Sequence, residues 1–172
     1  MKTIKIFSSI LAIVLLATSV SAQEFVVPQK YSLEKTADYA PYENDVIACA
    51  TWLETAPVKG EKKKLKAANK FLMQWLTGSP SVTIEINEKI VNFSEVNPEL
   101  ITVFMAGWAK YALENKVSYN EVLANIAGIK SVVKSYNTNL NKGMKQDEAI
   151  EKYKELIEHK QITKWVNHML YN

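Results

Sequence analysis

The chain has 172 residues, 48% of them hydrophobic, and a formal charge of +3 at neutral pH. All 21 basic residues are lysines, so the planar arginine fork used for phosphate and guanine recognition is missing, which argues against a nucleic-acid binder. Five glycines and one cysteine, Cys49, leave no phosphate-cradling glycine loop and no internal disulfide.

Residues 1–22 read as a cleaved export signal. Lys2 and Lys5 form a basic start, Ile6–Ala17 is an apolar stretch, and Val20 and Ala22 are the small residues a signal peptidase requires. The apolar stretch is about 12 residues, short of the roughly 20 needed to span a bilayer. No cysteine follows it closely, so a lipid anchor is not expected. Cleavage would leave residues 23–172, 150 residues read as a single helical domain, and would remove Lys2 and Lys5, bringing the charge to +1. The reading is therefore an exported protein, periplasmic or extracellular, with no membrane anchor after cleavage.

Residues 23–31 are a short lead-in in which Pro28 opposes helix. Residues 42–55 are predicted helical, with Val46, Cys49, Ala50 and Leu53 at helical spacing and Pro57 and Gly60 behind them. Residues 61–76 form a second helix with Leu65, Ala68, Leu72, Trp75 and Leu76 inward, stopped by Gly78 and Pro80. Residues 82–93 change period. Val82, Ile84 and Ile86 alternate with Thr83, Glu85 and Asn87, which predicts a short β-hairpin with Ile90–Phe93 returning, or else an extended segment. Asn97, Pro98 and Glu99 predict an N-cap and first turn. The helix they open, about 98–116, is apolar on nearly every face, the pattern of a buried central helix. Ser118 and Glu121 predict a capping box for a fourth helix with Val122, Ile126, Ile129, Val133 and Tyr136 on one stripe. Asn137–Gly143 is a loop. A last helical region from Gln146 loses phase near His159–Gln161, which predicts a break there. The expected fold is all-α, a compact bundle of five to six helices around the 98–116 helix.

The residues that could carry chemistry are few. Asp38, Asp45 and Asp147 are the only aspartates, and His159 and His168 the only histidines. Nine residues apart, the histidines lack the spacing that puts two metal ligands on one helix face. A hydrolase built on either would need a serine and an acid that no motif supplies. The pairs Glu85/Glu88 and Glu95/Glu99 have the chemistry of a glycosidase but sit in ordinary loop and helix-start positions. Lys62, Lys63, Lys64 and Lys66 form the strongest charge run; a solvated helix face is the plainer reading, contact with an anionic surface the sharper one. Asn92-Phe93-Ser94 matches a glycosylation sequon. Cys49 falls on an apolar stripe and is expected to be buried and inert. Trp52, Trp75, Trp108 and Trp165 are expected in the core, or lining a groove for a ligand or partner.

The ending Ser21-Ala22-Gln23 and the helix holding Met105-Ala106-Gly107-Trp108 resemble the small uncharacterised helical proteins exported by Gram-negative bacteria. The second motif is also similar to the glycine-bearing central helix of periplasmic acid-stress chaperones and immunity proteins. Those proteins carry a cysteine pair where this chain has Cys49 alone, and no site residue is transferred from them. The expected function is non-catalytic binding of another protein, chaperone-, inhibitor- or immunity-like. The alternative is a carrier of an apolar small molecule, and a hydrolase ranks third. No catalytic, metal or cofactor site is assigned.

Overall fold

Apolar periodicity of 3.6 and its punctuation place six α-helices among the described residues. The computed structural model describes residues 25–172, so the export signal read at 1–22 lies outside it. The helices are α1 (Glu43–Leu53), α2 (Lys62–Gly78), α3 (Leu100–Glu114), α4 (Glu121–Asn139), α5 (Glu148–Glu158) and α6 (Ile162–Tyr171), with short 3-10 turns at Thr36–Asp38, Ala40–Tyr42 and Asn92–Glu95. No strand forms among these residues; the only β pairing is an isolated bridge between Leu140 and Met144. The fold is an all-α bundle.

α3 is the centre of the bundle, as its all-round apolarity requires. It packs most extensively on α4, then on α1, with α2 and the Asn92–Glu95 turn closing further sides. Small residues allow the α3–α4 approach. A Cβ on Gly128 would lie 2.7 Å from the Phe104 ring and 2.9 Å from the Phe104 carbonyl; one on Gly107 would lie 2.4 Å from Ser131 Oγ. Each helix thus lays a bare stretch of backbone against the other. α4 buries far more than one stripe: Ala124, Asn125, Gly128, Ser131, Val132, Ser135 and Asn139 join Val122, Ile126, Ile129 and Tyr136. α4 is covered by α3, α5 and α6 together, while Val133, expected inward, is only half-buried.

The hairpin does not form. Residues 82–87 lie in no helix, strand or turn, Ile90 and Val91 are turned back by N–H bonds to the Asn87 carbonyl (2.9 and 3.1 Å), and Phe93 enters a 3-10 turn. Burial decides this: Ile90, Val91 and Phe93 all drop into the core, where strand alternation would have left Ile90 or Val91 outside. The Tyr153 hydroxyl fixes the turn at 2.8 Å from the Ile90 carbonyl and 2.7 Å from Asn92 Oδ1.

Two predicted caps are replaced. Asn97 does not cap α3 with its side chain. It is 1% exposed, and its amide donates to the Lys145 carbonyl and Asp147 Oδ2 (3.1 Å each) and accepts from the Lys145 N–H (3.0 Å). α4 is capped by Asn120, whose Oδ1 accepts from the Leu123 N–H at 3.0 Å, rather than by Ser118. The break between α5 and α6 falls at the predicted place. Lys160 adopts a left-handed backbone (φ 58°), and the Gln161 N–H returns to the Leu156 carbonyl at 2.7 Å, a Schellman-type closure. The lead-in is more than a tail, since Phe25 and Val27 are buried in the core and Phe25 meets the Trp52 ring.

Candidate functional site

One cleft, of about 500 Å³, lies where residues 81–85 pass the C-terminal half of α3. Ser81, Val82, Thr83 and Glu85 form one wall, Trp108 and Ala112 the floor, and Lys116, Tyr119 and Glu121 the other wall. Trp108 and Ala112 are four apart and share a face of α3. The Asn120 cap sets where α4 begins and so where Glu121 stands.

Charge in the cleft is unbalanced toward carboxylate. Lys116 pairs with Glu43 Oε2, and Glu43 Oε1 also accepts from the Ser81 hydroxyl at 3.2 Å, so that lysine is already neutralised. The Glu121 carboxylate accepts from the Tyr171 hydroxyl at 3.3 Å. Burial pushes the Tyr119 hydroxyl above the usual phenol range. The Trp108 indole N–H opposes that rise, and Glu121, Glu85 and Tyr111 reinforce it. Those five side chains therefore converge on one place. Trp108 is 1% exposed, and its buried Nε1 is directed at the Tyr119 hydroxyl without reaching full hydrogen-bonding geometry.

Tyr119 is exposed in the loop before α4, and exposed Tyr171, at the end of α6, reaches Glu121. Ile86, Val117 and Leu123 are exposed too, close in sequence to cleft residues but outside its lining.

The residues singled out in the sequence fall elsewhere, with Glu85 and Trp108 the exceptions. His159 and His168 are exposed on the α5–α6 arm, and His159 Nδ1 lies 2.9 Å from the Glu155 carbonyl. Glu88 and Glu95 are exposed outside the cleft walls, and Glu99 edges a separate cavity of about 30 Å³ beside Asn69. Lys62, Lys63 and Lys66 are solvated on α2, whereas Lys64 sits 4.9 Å from the Trp52 ring centroid and 3.8 Å from Glu61. Trp75 and Trp108 are in the core; Trp52 and Trp165 are half-buried. Asn92 of the sequon is exposed, and its Oδ1 accepts from the Tyr153 hydroxyl. No group of three or more His, Cys, Asp or Glu among the described residues is placed to hold a metal ion, and none of their helices is long and apolar enough to cross a membrane. Tyr119 and Glu121 gave no sequence signal beyond ordinary loop and cap chemistry.

Cys49 is fully buried, its thiol directed at the Ala68 carbonyl (3.8 Å), and burial pushes its pKa up to about 12. A thiol reagent at pH 8 is expected to leave the native protein unmodified and to label it on unfolding. Between pH 9.0 and about 12 the unfolded chain has lost this proton and the folded chain keeps it. Stability therefore falls as pH rises through that window, by at most about 1.4 kcal/mol per pH unit. Urea titrations at pH 8 and pH 10 measure the slope, and Cys49→Ala should lessen it; rapid native labelling at pH 8 would contradict the burial. Compared with protein-family models, curated proteins and solved structures, the chain matches none.

Proposed function

We propose that this is an exported, non-catalytic protein that acts in the periplasm or outside the cell by binding another protein, and that the cleft is its binding face. The observation that carries the reading is a cleft floored by Trp108 and Ala112, with exposed Tyr119 in its wall and exposed Tyr171 bonded to its Glu121. Exposed aromatic side chains beside an apolar floor are the composition of a protein interface. The runner-up, a carrier of an apolar molecule, is less well supported, because the cleft walls carry Glu85, Glu121 and Lys116.

Site-specific photo-crosslinking in the native host tests this. With benzoylphenylalanine at position 119, a single protein adduct of defined mass is expected, absent when the probe replaces exposed Lys63 on α2. Equal labelling from both positions, or none from 119, would overturn the reading. N-terminal sequencing of the same material should begin at Gln23 if the chain is exported; an intact Met1 terminus in the cytosol would refute export.

A further inference from the structure

The segment beside the cleft is missing the partner that its side-chain pattern calls for. Val82–Ile86 has the apolar–polar alternation of a strand and lies in no helix or turn, yet none of its N–H or C=O groups makes a hydrogen bond within the protein. Every one of these five residues carries both a donor and an acceptor, since none is proline. Val82 is buried, Ile84 half-buried, and Thr83, Glu85 and Ile86 exposed, so an added strand has access to the outer residues of the segment. One edge of such a segment offers the paired N–H and C=O of alternate residues, which is a template for an added strand.

We propose that this protein binds an extended, basic peptide segment of its partner, which adds as a strand along residues 82–86 and fills the cleft. The proposal rests on the binding-face reading above and specifies its ligand. Charge complementarity names the occupant. Glu85 and Glu121 stand in the walls, and the cleft's one lysine is paired with Glu43, so lysine or arginine side chains of an incoming strand find carboxylates and no competing cation. Alternate residues of that strand would lie against Tyr119 and Tyr171. A second copy of this chain is a poorer occupant, because pairing 82–86 with itself would add Glu85 to a site already acidic.

Selection of short random peptides, displayed on phage, against the protein as secreted tests the idea. Peptides in which lysine or arginine alternates with apolar residues are expected to be enriched over an unrelated immobilised protein. Added to isotope-labelled protein, they should slow hydrogen exchange of alternate amides within 82–86 by roughly tenfold or more and shift the Trp108 indole resonance. Glu85→Lys, at an exposed position, should weaken binding by roughly tenfold. No enrichment, enrichment of acidic peptides, or binding that leaves exchange in 82–86 unchanged would each overturn the proposal. Protection of 82–86 that grows with protein concentration alone would replace the peptide by a second copy, and overturn it too. A discrete crosslink from position 119 combined with any of these failures removes only the strand-addition inference; loss of that crosslink removes the binding-face reading itself.

Discussion

Gly128→Ala should unfold well below the parent protein, although alanine is the better helix former. The added Cβ would sit 2.7 Å from two atoms of the Phe104 ring and 2.9 Å from the Phe104 carbonyl oxygen. The ring has little room to move, being packed between Phe93 (6.2 Å) and Trp108 (6.0 Å). The carbonyl belongs to the α3 backbone, so the whole helix must shift away from α4. Overpacking of this kind costs about 1–3 kcal/mol or more, against about 1 kcal/mol gained in helix propensity. The carbonyl contact places this site at the upper end, and a net loss of about 2 kcal/mol corresponds to a melting point lower by roughly 4–8 °C in a domain of this size. Gly60→Ala is the contrast. Gly60 has φ +129° with nothing within 4 Å of a Cβ, so its loss reflects backbone strain alone. Thermal and urea unfolding measure both, and a Gly128→Ala melt at or above the parent's would refute the close helix contact. The same shift would reach the cleft, whose floor is on α3 and whose Glu121 wall is on α4, so peptide binding should weaken in the folded variant.

Asn97→Ala should be comparably damaging for a different reason. The Asn97 amide satisfies both backbone groups of Lys145 and one oxygen of Asp147, in a place where Asp147 itself is buried. Asp147 Oδ1 caps α5 through the Ala149 and Ile150 N–H groups (3.0 and 3.4 Å), and its own N–H donates to the Tyr136 hydroxyl at 3.3 Å. Truncation leaves three polar groups unpaired, and with partial entry of water a loss of about 2–4 kcal/mol is expected. Asn97→Asp keeps the shape but sets two carboxylates against each other, so its penalty should be greatest at neutral pH and shrink as acid protonates the pair. Urea midpoints at pH 7 and pH 4 give both numbers. An Asn97→Ala midpoint equal to the parent's would show that the junction contributes nothing.

These two sites also mark what a linear reading could reach. The helices and their breaks were legible because the signals are local. Val46, Cys49, Ala50 and Leu53 recur at the helical period and are all buried in α1, and the loss of phase at Lys160–Gln161 is a left-handed residue in the structure. The apolarity of α3 told of a central helix before any neighbour was known. The candidate site was scarcely legible. Glu85 and Trp108 stood out as a carboxylate and an aromatic, but their meeting with Tyr119 and Glu121 depends on three separate stretches of chain.

Local stereochemistry thus settled which stretches of this chain are helical and much of which face turns inward, since a helix needs only its own neighbours at three and four positions' distance. Tertiary structure alone decided how ambiguous polar and extended segments are used. Asn97 has the chemistry of a cap, and became a staple because Lys145 and Asp147, 48 and 50 residues away, arrive beside it. Residues 82–86 have the pattern of a strand, and remain unpaired because burying Ile90, Val91 and Phe93 draws the expected partner into the core. In both cases a side chain or backbone group takes the best partner within reach, and which partners are within reach is a property of the packed molecule.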